Sequence, residues 1–418
     1  MRLLIILALL LLAEYYSFVV VRSALRGLPP GWRTGLFVLY FILTGIAWAC
    51  FIFFRVIDWA ALPHLARNLI VATVMGIVVG KLLILLVMLL DEVRRLMLWL
   101  ISLFYSGGHP ATDQLNTTGQ QGIPRSVFLK RFALLLGGLS LFGFAYGVSN
   151  RYHYRIRRVP LKNPKIPAAF QGLKIVQLSD IHAGSFDNPE AVAHGIRLAM
   201  QENPDLILIT GDLVNNKAAE IEPYKEIFSR LQAPLGVYSI LGNHDYGDYE
   251  QWPSAAAKAQ NLEDLKQHQA DMGWRLLNNE HVLLQKDGAT IALIGVENWS
   301  AKLHFPRHGD LAAASKGLEQ RSDLFQILMS HDPSHWDAEV RPHFPHIDLT
   351  LSGHTHGMQF GVEIPGFKWS PVQYVYQKWA GLYEEGRQQL YVNRGMGFIG
   401  YPGRIGILPE ITVIELGS

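Results

Sequence analysis

The chain contains a single cysteine, Cys50, among its 418 residues. One cysteine cannot form a disulfide within the chain, so disulfides play no part in its fold. Charged residues are also scarce, at 17% of the sequence, and the net charge is only +2. A protein that binds nucleic acid through a strong basic field is therefore not expected. We also find no internal repeat.

Apolar residues, in contrast, make up 50% of the chain, and long apolar runs are concentrated near its start. Four of these runs are roughly 18 residues or longer, which is near the length that a helix needs to cross the hydrocarbon of a bilayer. We predict membrane-spanning helices over residues 3–21, 35–54, 68–90 and 132–149. Residues 1–150 are thus predicted to form the membrane domain of a multi-pass cell-membrane protein. The first run lacks a clear small-residue cleavage site, so we expect a retained anchor.

Two charges interrupt these runs, Glu14 in the first and Lys81 in the third. A charge in contact with hydrocarbon is costly, so each is expected to face a neighbouring helix or to reach an interface, and simple pairing is the favoured explanation. The stretch Leu96–Tyr105 is apolar but too short to cross a bilayer, and we predict an interfacial helix there. Ser106–Gln121 is rich in small polar residues and is predicted to be a loop.

The orientation in the membrane rests on two signals. Lysine and arginine are almost evenly divided between the two sides of the four predicted spans, so their balance favours neither side. We interpret the basic residues of 151–165 as part of the folded domain, where they would not affect orientation. The stretch Pro124–Lys130 resembles a twin-arginine export signal that lacks its second arginine. We therefore expect the remainder of the chain to be extracytoplasmic.

The last two thirds of the chain carry short clusters of residues that bind metals. The clusters are Asp180-Ile181-His182, Gly211-Asp212, Gly242-Asn243-His244-Asp245, Ser330-His331-Asp332 and Gly353-His354-Thr355-His356. Each follows an apolar run that is typical of a buried strand. These runs are Leu173–Leu178, Leu206–Ile209, Val237–Leu241, Ile327–Met329 and Ile347–Leu351. Because strands of an α/β fold deliver such loops to one edge of the sheet, we expect these side chains to converge.

Each cluster has an ordinary explanation when it is taken alone. Gly211-Asp212 would suit a turn, and Asn243 would suit a left-handed position in one. Five clusters in one order, each after an apolar run, favour a shared site for two divalent metal ions instead. Oxygen and imidazole donors without thiolate suit Mn, Fe, Zn, Mg or Co about equally, so ligand type does not select the metal.

In this order the clusters resemble the motifs of the calcineurin-like metallophosphoesterases, over roughly Lys174–Leu416. Asn393-Arg394-Gly395 and Pro409-Glu410-Ile411 are similar to the closing segments of membrane-attached bacterial phosphodiesterases in that family. The resemblance implies an α/β fold, a four-layer αββα sandwich. It assigns one metal to Asp180, His182, Asp212 and His356, and the other to Asp212, Asn243, His331 and His354. A hydroxide held between the two ions would attack phosphorus.

Residues beside the ligands receive roles as well. The resemblance makes His244 catalytic, as a hydrogen-bond donor to a phosphate oxygen or to the leaving group, with Asp245 fixing its ring. Arg394 and Arg404 are candidates for substrate binding, since guanidinium pairs with oxyanions, and structural arginines that bond loop carbonyls are an equal alternative. Histidines outside the motifs are expected on the surface or in loops: His281, His304, His308, His335, His343 and His346. If one of them is an exception, we expect it to be His335, because it is close to His331 in the sequence.

One departure from the family follows the last motif. A Gly-Gly pair is common there, whereas this chain has Gly357-Met358-Gln359. If that position requires a positive φ, Met358 would be strained. The departure concerns the geometry of the loop rather than metal binding.

The predicted organisation is thus a membrane domain, a basic tether with a first strand over 151–172, and a catalytic domain over 173–418. The predicted activity is that of a membrane-anchored phosphodiesterase or pyrophosphatase, acting on a lipid-linked or nucleotide-linked phosphoester that is concentrated near the tethered site. No nucleic acid and no obligate protein partner are expected. Two alternatives are a metal-binding sensor or scaffold without turnover and a transporter, although only two intramembrane charges support the second.

Overall fold

The structure is a computed structural model that describes residues 2–53, 56, 62–104, 125–302 and 305–417. The chain divides into two units, Met1–Tyr146 and Gly147–Ser418. The predicted loop Ser106–Gln121 and His304 lie outside the described residues.

Four helices form the described part of the first unit: α1 (Arg2–Leu25), α2 (Pro30–Ile52), α3 (His64–Phe104) and α4 (Arg125–Ser149). The last residues of α4, from Gly147 onward, belong to the second unit. All four are long and apolar enough to cross a membrane, by length and composition. The helices exceed the predicted spans at most ends because flanking residues continue a helix even where they are too polar to belong to the hydrocarbon.

The third helix differs from our prediction. We expected a span over 68–90 followed by a separate interfacial helix at Leu96–Tyr105, but the described residues form one continuous helix of 41 residues. The charged stretch between the two lacks a helix breaker, and Asp91 forms ion pairs with Arg94 at 3.0 Å and with Arg95 at 2.9 Å, one turn further on. The prediction of a separate helix was therefore wrong.

The two intramembrane charges pair with each other. Lys81 Nζ on α3 lies 2.6 Å from Glu14 Oε2 on α1 and donates to Thr44 Oγ1 on α2 at 2.8 Å. The hydroxyl of Tyr40 donates to Glu14 Oε1 at 2.7 Å. The network satisfies both charges and joins three helices, as expected for ionisable groups within an apolar helix bundle.

Helices α3 and α4 pack closely through glycines. A Cβ added at Gly80 would lie 2.9 Å from the carbonyl oxygen of Gly137, and one added at Gly76 would lie 2.9 Å from Leu141 Cα. These contacts are with backbone atoms, which cannot move aside as a flexible side chain can. The adjacent Gly138 faces open space. The pair Gly76 and Gly80 thus has the small-xxx-small spacing that brings helix backbones together in membranes.

We predict that Gly80→Ala lowers the free energy of unfolding by about 1–3 kcal/mol, because the new methyl group overlaps the Gly137 backbone. Gly138→Ala is the matched control and should leave stability unchanged or raise it by about 0.5–1 kcal/mol through helix propensity. Thermal unfolding of the full chain in detergent measures both. Equal effects of the two substitutions would contradict the close packing.

The second unit contains two six-stranded sheets and a two-stranded hairpin. Its strands are β1 (Arg155–Lys162), β2 (Lys174–Leu178), β3 (Leu206–Thr210), β4 (Val237–Ile240), β5 (Arg275–Leu276), β6 (Glu280–Lys286), β7 (Ala289–Gly295), β8 (Gln326–Met329), β9 (Leu349–Ser352), β10 (Val362–Ile364), β11 (Phe367–Trp369), β12 (Gly381–Glu385), β13 (Gln388–Val392) and β14 (Glu410–Gly417). The strand orders are β1-β14-β2-β3-β4-β5 and β12-β13-β9-β8-β7-β6, with β10 and β11 forming the hairpin.

The helices of this unit are α5 (Pro189–Gln201), α6 (Lys225–Phe228), α7 (Ala255–Asp271), α8 (Leu311–Ala314) and α9 (Arg341–His343). Three buried clusters separate the layers. On β3, Ile207 and Ile209 pack with α5 and α7, whereas Leu206 and Leu208 pack between the two sheets. On β8, Leu328 packs outward with the buried Trp336. Alternate residues of each strand thus face opposite layers, which produces the expected αββα sandwich.

The predicted strands before the motifs agree with β2, β3, β4, β8 and β9 to within two residues at each end. The sequence pattern predicts amphipathic helices over Pro189–Gln201 and Ile221–Leu231. The first of these is α5. The predicted helix Ile221–Leu231 is instead a 3₁₀ segment, Ala218–Tyr224, followed by the single turn of α6, and Pro223 lies within the 3₁₀ segment. Within residues 151–172, predicted to be a basic tether with a first strand, Arg155–Lys162 forms β1, which pairs in parallel with β14.

Candidate metal centre

The strand order of the two sheets places the motif loops together. Strands β2, β3 and β4 are parallel neighbours in the first sheet, and β8 and β9 are parallel neighbours in the second. Asp180 and His182 follow β2, Asp212 follows β3, Asn243 follows β4, His331 follows β8, and His354 and His356 follow β9. Parallel strands end at the same edge, so all seven predicted ligands lie on loops at the carboxyl ends of strands.

Two groups of donor atoms result. Asp180, His182 and His356 each offer a donor atom within 4.8 Å of the others, and so do Asp212, His331 and His354. In the first group His182 Nε2 lies 3.0 Å from His356 Nε2. In the second, His331 Nε2 lies 3.1 Å from Asp212 Oδ2. The amide of the seventh predicted ligand joins the second group, since Asn243 Oδ1 is 2.8 Å from His354 Nδ1.

Asp212 lies between the two groups. Its Oδ2 atom is 3.1 Å from His331 Nε2 and 3.5 Å from His182 Nε2. Its Oδ1 atom accepts a hydrogen bond from the backbone N–H of His244 at 2.9 Å. One carboxylate oxygen is therefore within reach of an imidazole from each group, which is the geometry that a bridging ligand requires.

The backbone of the site is strained. Among the described residues, ten non-glycine residues have a positive φ, and five of them are predicted ligands: Asp180, His182, Asp212, His354 and His356. The left-handed conformation costs roughly 1–2 kcal/mol for residues other than glycine. Such strain is retained where the surrounding structure enforces it, which is typical of functional sites.

Glycines allow the loops to approach one another. A Cβ at Gly353 would overlap Ser179 Oγ and Asp180 Oδ2, and a Cβ at Gly242 would overlap Asp212 Oδ1. Glycine is thus required directly before His354 and Asn243, because any side chain would displace a carboxylate of the site.

Burial makes two of the imidazoles neutral. Burial lowers the pKa of His182 to about 3, even though the nearby Asp212 carboxylate opposes the shift. The pKa of His356 falls well below its usual value because of burial and the neighbouring His182. Two neutral rings thus present nitrogen atoms to each other at 3.0 Å, with Asp180 Oδ1 3.3 Å from His356 Nε2. These convergent nitrogen and oxygen atoms fit a bound cation, which a neutral imidazole can hold through a ring nitrogen.

The imidazole of His331, which also lies near Asp212, has a raised pKa instead. Burial alone would lower the pKa of His331, but the Asp212 carboxylate outweighs it and raises the value to about 10. The ring is also oriented by a hydrogen bond from Nδ1 to the carbonyl oxygen of Thr210 at 2.7 Å. Burial raises the pKa of Asp180 to about 7. In the absence of metal, the site therefore holds protons that a cation must displace.

The partner of the His244 ring is not the residue that we predicted. The ring Nδ1 lies 2.8 Å from the carbonyl oxygen of Asn215, which can only accept, so Nδ1 carries the hydrogen. The carboxylate of Asp245 instead accepts from four backbone N–H groups at 2.8–3.2 Å, those of Gly242, Asp212, Leu213 and Val214. Asp245 thus joins the loops after β3 and β4 and does not fix the ring.

Three functional neighbours were missed from the sequence. The hydroxyl of Tyr376 lies 2.9 Å from His354 Nε2 and donates to Asp332 Oδ2 at 3.2 Å. Because Nε2 of the His354 ring is bonded to Tyr376, its Nδ1 atom is the one that faces Asn243 and His331. The amide of Asn243 donates to the Tyr249 hydroxyl at 3.0 Å. Asp332 is adjacent to His331 in the motif and could have been found there, whereas the tyrosines carry no spacing signal.

The two candidate substrate arginines are buried and committed to the protein itself. Arg394 donates to Glu410 Oε2 at 2.6 Å and to Glu363 Oε1 at 2.7 Å. Arg404 donates to the carbonyl oxygens of Arg394 at 2.8 Å and of His356 at 3.1 Å, among others. The structure therefore favours the structural alternative for both, since neither guanidinium is open to a phosphate.

His335 and Met358 are two further residues for which the sequence made a prediction. His335, which we named as the exception among the histidines expected on the surface or in loops, is fully buried, with Nδ1 2.8 Å from Ser330 Oγ and its ring stacked on Trp299. Met358 does have the positive φ that would strain it, at 55°. Its side chain is exposed, while that of Gln359 donates to the carbonyl oxygen of Tyr401 at 2.6 Å and holds the turn in place.

Comparison with known proteins identifies the family. Residues 173–358 match the family described as calcineurin-like phosphoesterase, and residues 1–151 match that described as probable calcineurin-like phosphoesterase, transmembrane domain. The uncharacterized metallophosphoesterase YkuE of Bacillus subtilis is 32% identical over 302 residues, which cover 70% of this chain and 98% of YkuE. The chain belongs to the calcineurin-like metallophosphoesterase family. It is a membrane protein and a metal-dependent phosphoric ester hydrolase.

Two further relatives of this metallophosphoesterase extend the comparison. Phosphodiesterase YaeI of Escherichia coli is 27% identical over 300 residues, which cover 70% of this chain and 99% of YaeI. The transmembrane protein with metallophosphoesterase domain of Danio rerio is 32% identical over 261 residues. That match covers 60% of this chain and 55% of the fish protein, so the chain matches only about half of that relative.

We predict that metal binding to the metal-stripped protein releases protons and strengthens as pH rises toward 10. His331 is protonated below its raised pKa of about 10, and Asp180, with a pKa of about 7, is partly protonated at pH 7. Only the neutral ring and the ionised carboxylate can bind a cation, so binding should release about one to two protons per chain at pH 7. Titration calorimetry of Mn²⁺ binding in buffers of different ionisation enthalpy measures this release. Binding without proton release, and with the same affinity at pH 6 and pH 9, would contradict the prediction.

Proposed function

We propose that this metallophosphoesterase hydrolyses phosphodiesters at a membrane with a centre of two divalent cations. Asp180, His182, Asp212 and His356 would hold one cation, and Asp212, Asn243, His331 and His354 the other. The observation that carries the proposal is the position of Asp212, whose carboxylate lies within 3.5 Å of an imidazole from each group. A shared carboxylate of this kind keeps two cations close enough to act on one phosphorus.

The cations, when bound, neutralise charge on the phosphoryl oxygens and lower the pKa of water toward neutrality. The other contributions come from the chain itself. Because His244 donates from Nδ1 to Asn215, its Nε2 atom remains as the one that can hold or give up a proton. The ring is only partly buried and contacts Tyr249 and His182, with ring centres 4.6 and 5.0 Å away. We infer that Nε2–H donates to the leaving oxygen.

Other residues would hold this arrangement in place. Asp245 fixes the loops that carry Asp212 and Asn243, and Tyr376 keeps His354 in the orientation that turns Nδ1 toward the site. Residues that hydrogen-bond metal ligands orient those ligands, and their removal usually lowers metal affinity or activity about 10- to 100-fold. We therefore assign both residues a positioning role rather than a catalytic one.

Two observations support a diester substrate near the bilayer. The relative YaeI is named a phosphodiesterase and is matched over almost its full length. In this chain, α4 ends at Ser149 and β1 begins at Arg155, so a short connection joins the catalytic unit to a helix that could span a membrane. A tether of this length keeps the site at high effective concentration relative to membrane-bound substrates. A lipid-linked or nucleotide-linked phosphodiester is therefore the proposed substrate class.

We predict that His244→Ala lowers the rate of phosphodiester hydrolysis by about 10²- to 10⁴-fold, because the leaving oxygen loses its proton donor. Bound metal should stay at the wild-type level, since His244 is not a proposed ligand. His194→Ala, which removes an exposed histidine on α5, is the matched control. The measurements are turnover of bis(p-nitrophenyl) phosphate and metal content for the full chain in membranes.

The outcomes separate the competing functions. Bound metal without turnover in the wild-type protein would favour the alternative of a sensor or scaffold. Turnover of monoesters alone would overturn the diester assignment. The same charged substrate, added to intact cells, also tests the proposed extracytoplasmic orientation: hydrolysis should begin before the cells are lysed, and hydrolysis only after lysis would place the site in the cytoplasm.

A further inference from the structure

Exposed apolar side chains of the second unit are concentrated in one stretch. Among its described residues, eight large apolar side chains are exposed, and only Tyr249 and Leu283 lie outside residues 358–375. The other six are Met358, Val362, Ile364, Phe367, Tyr374 and Val375. We call residues 358–375 the apolar segment. Single exposed apolar residues are ordinary on protein surfaces, but six within 18 consecutive residues indicate a segment that contacts something else.

The hairpin within the apolar segment exposes its apolar face to solvent. Val362 pairs with Trp369 and Ile364 pairs with Phe367, so these four side chains share one face, while Glu363 and its partner Lys368 share the other. Ile364 and Phe367 are 58% and 54% exposed. In a sheet that has one face on the protein core, the apolar face is the buried one. Here the apolar face is turned outward instead.

The polar face fixes the hairpin in this orientation. Glu363 accepts from Arg157 at 2.6 Å and from Arg394 at 2.7 Å. On the other strand, Lys368 donates to the carbonyl oxygen of Ala380. The exposure of the apolar face is therefore held by ion pairs and hydrogen bonds on the opposite face, at least one of which involves the buried arginine Arg394. A loose loop that merely lacks a core contact would not be anchored in this way.

The hairpin begins next to the point where the chain leaves its last apolar helix. Within the second unit, Arg404 N donates to the carbonyl oxygen of Gly147, which lies in the final turn of α4, at 2.9 Å. The next residue, Ile405, accepts from the backbone N–H of Gly361 at 2.8 Å. Gly361 directly precedes β10. The start of the hairpin is thus hydrogen-bonded to Ile405, and the adjacent Arg404 is hydrogen-bonded to the last turn of a helix that could span a membrane.

Cationic side chains accompany the apolar ones. An open cleft of about 560 Å³ is lined by Arg155 and Arg157 together with hairpin residues that include Ile364 and Gly366. The side chain of Arg155 is exposed. Exposed apolar and aromatic side chains beside arginine match the interface of a bilayer, where tails, headgroups and anionic phosphates meet within a few ångströms.

We propose that the apolar segment docks on the bilayer surface, with Ile364 and Phe367 inserted among the lipid headgroups and Tyr374 at the interface. The segment begins two residues after His356 and ends one residue before Tyr376, whose hydroxyl bonds His354. Docking would thus hold the loop of two proposed metal ligands at the lipid surface. The contact concerns the bilayer itself and does not depend on which reaction the site performs.

The test measures whether the hairpin meets lipid in the full chain. Cys50→Ser removes the one native thiol, and Ile364→Cys or Phe367→Cys then carries a bimane fluorophore in nanodiscs of phosphatidylethanolamine and phosphatidylglycerol. Leu283→Cys, at an exposed apolar position outside the segment, is the matched control. Quenching is read with nitroxide-labelled lipids and, separately, with aqueous iodide. An unchanged thermal transition confirms that each labelled protein is folded, and no turnover is needed.

We expect nitroxide lipids to quench labels at 364 and 367 at least about two-fold more than the label at 283, and iodide to quench them correspondingly less, since docked side chains lie about 5–10 Å into the interface. Iodide quenching equal to that at 283 would overturn the proposal. Protection from both quenchers would also overturn it, because a second copy or another protein would then cover the segment.

Discussion

The carboxylate of Asp212 is the interaction on which the site depends. It lies at the end of a central strand, between an imidazole that burial keeps neutral, His182, and one that the carboxylate itself keeps protonated, His331. Burial would favour the neutral form of Asp212, yet His331 and the other nearby histidines hold the pKa of its carboxyl well below the usual value. A buried anion between ring nitrogens is stable only with positive charge beside it. Protons supply that charge in the metal-free protein, and we propose that cations replace them.

The rest of the domain can be understood as support for this arrangement. Five of the proposed ligands adopt left-handed conformations, and together they store several kcal/mol of strain, at roughly 1–2 kcal/mol each. The close approach of Gly242 and Gly353 to carboxylates leaves those loops no room to relax. Asp245 binds four backbone N–H groups from two loops, and the double layer of sheets beneath is buried on both faces. Strain of this size persists only where such a framework enforces it.

Much of this architecture follows from local sequence patterns. Short apolar runs with alternating faces, each followed by a polar cluster, predicted the strands and the edge at which the ligands meet, because a strand determines where its loop begins. Orientation within a loop is not determined in that way. The side chain of Asp245 was expected to bond the adjacent His244 ring, but the turn directs it to backbone groups instead. Arg394 pairs with Glu363, which is 31 residues away in the sequence, and with Glu410, which is 16 residues away. No local pattern therefore indicated that Arg394 is buried.

Local sequence patterns also failed to predict where the third apolar helix ends. Hydropathy located the apolar runs but ended the third helix at its charges, whereas backbone hydrogen bonding continues through Asp91 and its arginine partners. In the hairpin, three-residue strands are too short for their alternation to indicate which face is buried. That face becomes evident only from the pairing of Glu363 with arginines. The same chain thus presents apolar residues outward in two settings, on helices that could span a membrane and on one anchored hairpin.

We propose that Asp212 bridges two cations. Electron paramagnetic resonance of the full chain loaded with Mn²⁺ can detect such a bridge, because two manganese ions that share a carboxylate are magnetically coupled. Two cations bridged by Asp212 should give two manganese ions per chain and an exchange-coupled spectrum, which becomes uncoupled in Asp212→Asn. A wild-type spectrum of isolated six-line manganese, at one or two ions per chain, would contradict the bridge and the site built around it.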